Sequence, residues 1–394
     1  EICACLVGSE MCIRDSFQEF RDLSYKYNFQ KNIYVYFLHW MILRNMYWID
    51  MEGYFKNEVW RISENHDSYF EHFHKYIHRW KYVYHRFNPG KHSQIYYRLD
   101  YILSKIFCPG LDAMDYFRYE FYNYSLDKKR TFITEGGVAA MDKKFNGSKN
   151  QKKYREILSN KSSFNRFFSE YINRSWISSD NLSFQDFFEF LMRNKHVIVK
   201  PIDGVGGEGI FKKIIQSEKE IKELYDYIKG KKVIIEEVIS QCAELKDLNP
   251  SSVNTIRVYS VEKENRIFIT GALLRIGNGK GITDNYSSGG LAATIDVETG
   301  IIISPAVSQN NDNVYVHPYT NKVIIGLQIP KWSEVLECVK QAHSKIPQLC
   351  YIGWDVVICE DGTVTFLEAN TCSGVELQQH PLRKGVKHVY APYL

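Results

Sequence analysis

The pattern of apolar and polar positions divides the 394-residue chain into two differently built parts. From Phe17 to about Tyr124, aromatic and basic residues dominate and β-branched runs are few, which predicts several helices. Beyond that part, short apolar strands alternate with helical segments, a pattern typical of an α+β architecture. Glycine-containing segments at 134–137 and 145–148 separate the two, and we place the domain boundary near residue 135.

The N-terminal part holds two features that allow more than one interpretation. Its most apolar stretch, Tyr34–Leu43, is shorter than the roughly 20 apolar residues that span a bilayer, so we predict a buried helix. Docking on a membrane surface through Trp40 and Trp48 is the alternative. The same part contains three closely spaced histidines, His72, His74 and His78. His74 and His78 are spaced i, i+4, but no third ligand of matching pattern follows them. We therefore interpret the histidines as part of a polar helix surface and not as a zinc site.

Composition narrows the class of protein further. A net charge of +4 is too small to indicate nucleic-acid binding, and an aromatic content of 15% argues against intrinsic disorder. Nine cysteines without a Cys-x-x-Cys motif favour a reduced compartment, so we predict a cytoplasmic protein. Residues 1–16 lack the basic region of a signal peptide, and Cys5–Asp15 resembles translated adapter sequence. We therefore exclude residues 1–16 from the predicted fold.

The strongest local signal is an Asp-Gly pair at 361–362 with a β-branched apolar run on each side, which predicts a hairpin with a two-residue turn. In that register Asp355 lies directly opposite Glu368, and Asn370 shares the face of Glu368. Facing carboxylates repel each other unless a cation lies between them. Three oxygen ligands favour Mg²⁺ or Mn²⁺ over Zn²⁺. The alternative is a solvated hairpin end with two chance acids.

A glycine-rich segment, residues 202–209, follows a short buried strand that ends in Lys200 and proline. Glycines allow backbone N–H groups to approach phosphate oxygens closely. A Walker A loop requires Lys-Ser/Thr after its last glycine, but this chain continues with Ile210 and Phe211. A dinucleotide fold requires a helix next, whereas residues 209–214 have the pattern of a strand. We therefore predict a strand–loop–strand lid over phosphates.

Three later segments carry candidate chemistry. The strand at 232–239 can meet adenine through its backbone, and Glu244 is close enough in sequence to reach a ribose. Arg257 lies within an otherwise apolar strand, so a phosphate or carboxylate is expected beside it, with a structural ion pair as the alternative. The long, polar, glycine-rich loop at 277–290 is predicted to be functional or mobile.

The order of the glycine-rich segment, the strand at 232–239, the strand that contains Arg257 and the hairpin that contains Asp355 and Glu368 resembles the ATP-grasp superfamily. The similarity covers about residues 112 to 380 and is greatest to the sugar-transfer-associated branch, which is related to α-L-glutamate ligases and found with polysaccharide biosynthesis genes. The most specific motifs in this similarity are Asn254–Arg257 and the hairpin that carries Asp355, Glu368 and Asn370, which we call the acidic hairpin. The resemblance implies an α+β ATP-grasp fold in which two α+β subdomains, 136–240 and 241–394, clasp ATP. A mainly helical N-terminal domain, 17–135, precedes them.

The resemblance also implies roles for individual residues. Expected ATP-binding residues are Lys161, Lys200, Asp203, Gly206, Gly207, Gly209, Glu236, Glu237, Val238, Ile239 and Glu244. Expected substrate-binding residues are Asn254, Arg257, Asn285, Gly289 and Gly290. Lys200 and Arg257 are the expected catalytic residues, and the expected ligands of Mg²⁺ are Asp355, Glu368 and Asn370.

The implied activity is ATP- and Mg²⁺-dependent ligation of a carboxylate to an amine through an acyl phosphate. The expected product is an amino acid joined to a glycan or glycan precursor in surface polysaccharide biosynthesis. A metal and an arginine would neutralise charge on the transferred phosphoryl group, while a lid would exclude water. The alternatives are phosphotransfer to a hydroxyl and a non-catalytic nucleotide-binding assembly factor. The expected partners are ATP, a carboxylate and an amine, with contact to a lipid-linked glycan as an option and without nucleic acid.

Overall fold

A computed structural model describes residues 22, 80–148, 151–203, 208–279, 281 and 283–394. The chain divides into two compact units, Glu1–Gly137 and Val138–Leu394. Several predictions concern positions outside the described residues, namely those for residues 1–16, Tyr34–Leu43, Trp40, Trp48, His72, His74, His78, Gly206 and Gly207.

The described part of the first unit is helical, and the prediction of a mainly helical N-terminal region is confirmed there. Residues 80–87 are helical and are followed by α1 (Gln94–Phe107), α2 (Ala113–Arg118) and α3 (Leu126–Arg130). Each of the three begins at a side chain that accepts a backbone N–H of the first turn: Ser93, Asp112 and Ser125. Aromatic rings form the core, with Trp80 and Tyr101 at a centroid distance of 4.9 Å.

Nine further helices occur among the described residues. They are α4 (Glu135–Asn146), α5 (Lys152–Ser159), α6 (Lys161–Phe167), α7 (Phe184–Arg193), α8 (Glu218–Ile228), α9 (Ala243–Leu248), α10 (Trp332–Ser344), α11 (Glu376–Gln379) and α12 (Lys387–Tyr390). Within the described ranges, none of the helices has both the length and the apolar character needed to cross a bilayer.

A four-stranded antiparallel sheet forms the first half of the second unit. Its strands are β1 (Trp176–Ser178), β2 (His196–Pro201), β3 (Phe211–Ile214) and β4 (Val233–Glu237), in the order β1-β4-β2-β3. Apolar side chains of β2 and β4 pack against those of α7 and α8. The chain enters β3 directly after the glycine loop, so the predicted strand–loop–strand arrangement is confirmed.

A seven-stranded antiparallel sheet forms the second half. Its strands are β5 (Thr255–Lys263), β6 (Arg266–Ile276), β7 (Leu291–Ile295), β8 (Ala306–Val307), β9 (Asn313–Val314), β10 (Tyr351–Ile358) and β11 (Val364–Asn370), in the order β11-β10-β5-β6-β7-β8-β9. Every residue of β10 is buried, and α10 packs against apolar side chains of this sheet. The two sheets and their helices confirm the predicted α+β class.

The hairpin of β10 and β11 brings Asp355 opposite Glu368, as the sequence predicts. The turn and the register that produce this pairing differ from the predicted ones. The predicted two-residue turn is wrong: Cys359 pairs with Thr363 across a three-residue loop, whose last residue, Gly362, has φ +82°. A β-bulge between Asp355 and Val356 then shifts the register back by one residue. The two one-residue differences cancel at the acidic pair.

Candidate active site

A cleft that is partly open to solvent lies between the two sheets of the second unit. Both lysines singled out from the sequence line it, as do both carboxylates of the hairpin. The bulge explains why neighbouring Leu367 and Glu368 both line this cleft, since consecutive residues of a regular strand face opposite sides. The site therefore combines cationic and acidic groups from distant parts of the sequence.

The two lysines approach the cleft from different elements. Lys200 is on β2, and its Nζ lies 2.5 Å from Glu236 Oε2. Lys161 is the first residue of α6, which the Asn160 side chain caps by accepting the Ser163 N–H. Burial lowers the pKa of Lys161, and neighbouring Lys200 lowers it further, although Glu368 and Glu236 oppose this change. Two ammonium groups that line one cleft favour an anionic ligand.

Glu236 is the buried counter-ion of this part of the cleft. It accepts hydrogen bonds from Asn165 Nδ2 at 3.0 Å, Arg174 Nη2 at 2.7 Å and Lys200 Nζ at 2.5 Å. Burial alone raises the pKa of Glu236, but the charges of Arg174 and Lys200 outweigh burial and hold it well below its usual range. The side chain is thus fully engaged with protein groups.

The backbone after β4 has an open edge in the cleft. Glu237 N–H donates to Ser175 O at 2.9 Å, and Val238 N–H donates to His196 O at 3.1 Å on the opposite side. Because backbone groups alternate between the two edges of a strand, Glu237 C=O and Ile239 N–H lie on one edge. Among the described residues, the Ile239 N–H makes no backbone hydrogen bond. This edge offers an acceptor and a donor side by side.

Two arginines hold the Asp355 carboxylate. Arg257 donates through Nε to Oδ1 and through Nη2 to Oδ2, the latter at 2.8 Å. Arg275 Nη1 lies 3.3 Å from Oδ2, and its Nη2 donates to Asp284 Oδ1 at 2.9 Å. Although burial raises the pKa of Asp355, the two guanidinium groups outweigh it and lower the pKa. The expected anionic partner of Arg257 is therefore a carboxylate of the protein itself.

The pKa of Glu368 is shifted in the opposite direction to that of Asp355. Burial raises the pKa of Glu368, and the charge of Asp355 raises it further, although Arg275 and Arg257 lower it here too. Asn370 Nδ2 donates to Glu368 Oε1 at 3.3 Å. Added positive charge is thus favourable at this end of the hairpin, and the oxygen donors suit a hard cation such as Mg²⁺. Within the described ranges, no group of three His, Cys, Asp or Glu side chains is positioned to hold a metal. A cation here would therefore depend on two carboxylates, an amide and ligand oxygens.

Other residues predicted for the site lie in different environments. Asn285 lines the cleft and contacts Arg275. Asn254 does not line it: the side chain is buried and donates to Leu245 O at 2.8 Å and Asn249 O at 3.1 Å, so it holds local structure. Six further predicted residues are described but absent from the walls of the cleft: Asp203, Glu244, Arg257, Gly289, Gly290 and Asn370. Gly209 also lies outside them and has φ +72°.

Arg174, Arg275 and Asp284 are not among the predicted site residues, yet all three line the cleft. Arg275 had a usable signal, because it lies in an apolar strand as Arg257 does. Asp284 accepts from Thr255 N–H at 2.8 Å and from Arg275, so it ties the loop at 277–290 to two strands. No local pattern around Arg174 indicates a buried role.

The sequence profile of a protein family described as "Sugar-transfer associated ATP-grasp" matches residues 140–391. The chain belongs to this family. The match covers most of the chain and confirms the predicted family and the ATP-grasp fold. No curated protein matches the sequence.

Several solved structures resemble the family member described here. N5-carboxyaminoimidazole synthase from Aspergillus clavatus, in complex with ADP and an aminoimidazole ribonucleotide, is 8% identical with a TM-score of 0.38, over 59% of this chain and 52% of that one. ATP-grasp ligase PsnB with a minimal precursor is 13% identical (TM-score 0.39; 62% of each chain). D-alanyl-alanine synthetase A from Vibrio cholerae is 12% identical (TM-score 0.34; 60% and 66%). The chain spans 52% to 66% of the length of these structures.

Proposed function

We propose that this ATP-grasp chain is an ATP- and Mg²⁺-dependent carboxylate–amine ligase. One observation carries the proposal: two lysines and two facing carboxylates, all from separate elements, line a single cleft. Lysines recognise phosphate groups, and a carboxylate pair suits a hard cation that accompanies them. Together, the lysines and the carboxylates could bind a nucleoside triphosphate and the cation that accompanies it.

The open edge after β4 supports a position for the base. Glu237 C=O can accept from the adenine amino group, while Ile239 N–H can donate to the neighbouring ring nitrogen. Ile198 and Leu367 line the same cleft and can cover the faces of the ring. The phosphates would then extend toward Lys161 and Lys200.

We propose that Asp355, Glu368 and Asn370 hold Mg²⁺, which when bound supplies charge neutralisation for the nucleotide phosphates. Lys200 orients the phosphates. Arg257 holds Asp355 in place and contributes positive charge near the reacting groups. A substrate carboxylate oxygen attacks the γ-phosphorus, the bond to ADP breaks, and an acyl phosphate forms. An amine then attacks the acyl carbon, the carbon–oxygen bond to phosphate breaks, and the amine loses a proton as the amide forms.

We further propose a glycan or glycan precursor as one substrate and an amino acid as the other, in the cytoplasm. The family description, which refers to sugar transfer, supports the first part. Asn285, Gly289 and Gly290 belong to the polar loop beside the cleft and are proposed to contact this substrate. Five of the described cysteines are free thiols, in keeping with a reducing compartment: Cys242, Cys338, Cys350, Cys359 and Cys372.

The test is a product analysis with the purified chain, ATP and MgCl₂. Panels of amino acids are combined with sugars that carry a carboxylate or an amine, and ADP and the acceptor are measured. Amide plus ADP is the expected result. A phosphorylated hydroxyl would indicate a phosphotransferase, and bound ATP without turnover would indicate an assembly factor. The double variant Asp355→Ala, Glu368→Ala should lose Mg²⁺-dependent turnover; full turnover would refute the metal assignment.

A further inference from the structure

Arg174 is a buried arginine at the point where the chain passes between the two sheets. Only 8% of the residue is exposed, and it lies two residues before the start of β1. Its Nη2 donates to Glu236 Oε1 on β4 at 2.7 Å, and its Nη1 donates to Phe366 O on β11 at 2.7 Å. One guanidinium group therefore joins the lysine-bearing sheet to the strand that carries Glu368.

The residues around Arg174 fix this crossing to β11. Asn173 N–H donates to Thr365 Oγ1 at 3.0 Å, and its Nδ2 donates to Val364 O at 2.9 Å. The ring of Tyr171 stacks on Phe366 at a centroid distance of 5.1 Å. Because this segment is bonded along β11, the position of the Arg174 guanidinium is set by the second sheet.

The charges around Glu236 give Arg174 a specific task. Glu236 accepts from Arg174 through Oε1 and from Lys200 through Oε2, so one negative charge faces two positive ones. Arg174 and Glu236 neutralise each other, which leaves the charge of Lys200 available to a ligand. We call Arg174, Glu236 and Lys200 the charge cluster. Without Arg174, the buried Glu236 would neutralise Lys200 instead, and the cluster would have no net charge.

A second observation connects Arg174 to a ligand. Arg174 lines the cleft, and its Nε is buried without a hydrogen-bond partner among the described residues. A buried donor without an acceptor is costly, because it has lost its water without compensation. An acceptor atom of a molecule bound in the cleft would remove this cost.

We propose that Arg174 is a positioning residue of the nucleotide site, which takes up the charge of Glu236 so that Lys200 can bind phosphate. This inference rests on the proposed binding of ATP. It assigns Glu236 to holding the two cations in place, so that the base contacts come from the backbone of the following residues. Neither residue needs to contact the reacting atoms.

The test measures Mg-ATP affinity by calorimetry in the purified full-length chain. Arg174→Met should weaken binding about tenfold, which corresponds to ~1.4 kcal/mol. The double variant Arg174→Met, Glu236→Gln restores the net charge of the cluster and should recover about threefold of that loss. Arg174→Lys, which keeps the charge, should bind more tightly than Arg174→Met. As a matched control, Arg155→Met removes an arginine paired with Asp142 at 3.4 Å, outside the cleft, and should leave affinity unchanged.

A purely structural role for Arg174 would give a different result. Each variant is therefore also unfolded by heat: a lower melting temperature with unchanged affinity would overturn the proposal. So would a double variant that binds no better than Arg174→Met. If Arg174→Met does not fold, the Mg-ATP affinities of Arg174→Lys and of the double variant are compared with that of the unaltered chain, and this comparison tests the role of Arg174. Absence of ATP binding by the unaltered chain would overturn the nucleotide site itself, whereas binding that Arg174→Met leaves intact would overturn only the role of Arg174.

Discussion

Behind the acidic hairpin, a buried hydrogen-bond chain predicts how the second unit responds to acid. Trp354 Nε1 donates to Ser260 Oγ at 2.9 Å, and Ser260 Oγ lies 2.7 Å from His343 Nδ1. His343 Nε2 lies 2.8 Å from Leu349 O, which can only accept, so Nε2 carries the proton. Nδ1 must then accept from the serine hydroxyl. Protonating Nδ1 would break this chain.

The size of the effect follows from the burial of His343. Burial lowers the pKa of this histidine from 6.5 to about 4, although the bond to the Leu349 carbonyl acts in the other direction. Between these values the unfolded chain takes up a proton that the folded chain does not, so stability falls as pH falls from 6.5 to 4. At ~1.4 kcal/mol per pH unit, the loss amounts to about 3 kcal/mol.

The assay compares chemical unfolding of the unaltered chain and of His343→Gln at several pH values from 7 to 4. Glutamine can accept from Ser260 and donate to Leu349 O but does not titrate in this range. The stability of the unaltered chain relative to the variant should fall by about 3 kcal/mol on acidification. Equal pH dependence in both proteins would refute the proton assignment and the buried neutral histidine.

Three further predictions concern the cleft. Lys161→Met should weaken ATP binding about tenfold or more, since a hydrogen bond to a charged group contributes about 1.5–3 kcal/mol; unchanged calorimetric affinity would count against a phosphate contact. Arg275→Met should lower the Mg²⁺ concentration needed for half-maximal ATP binding, because Asp355 loses one competing cation, while turnover falls; a higher requirement would contradict this. Gly353→Ala should destabilise the protein by about 1–3 kcal/mol in thermal unfolding, because the added Cβ would lie 2.1 Å from Ser373 Oγ; an unchanged melting temperature would show that Ser373 can move freely.

The acidic hairpin shows how far local sequence patterns reach. The Asp-Gly signal located the reversal correctly, because few residues other than glycine adopt the φ of +82° found at Gly362. It could not decide between a two-residue and a three-residue loop, nor could it reveal the bulge beside Asp355. Asp355 and Glu368 face each other only because both deviations are present. The predicted pairing of Asp355 with Glu368 is therefore correct, although the predicted turn and the register next to it are wrong.

Local sequence patterns do not predict which side chains distant in sequence form ion pairs. The sequence predicts an anionic partner for Arg257 because a buried charge needs one, but the identity of that partner depends on β10 lying beside β5. Asp355 and Arg257 are directly paired across these two strands. Arg275 reaches the same carboxylate from β6, one strand further away. Strand order, which the local pattern does not contain, decides both contacts.

The crowding of Asp355 bears on how the cleft can hold a cation. A carboxylate has about four lone-pair positions. Arg257 uses one on each oxygen, and Arg275 uses the second on Oδ2. One position on Oδ1 remains, so Asp355 can offer a cation a single bond, and Glu368 with Asn370 and ligand oxygens must supply the others. A site built in this way would bind Mg²⁺ weakly without a nucleotide and tightly with one, which couples the metal to its phosphate ligand.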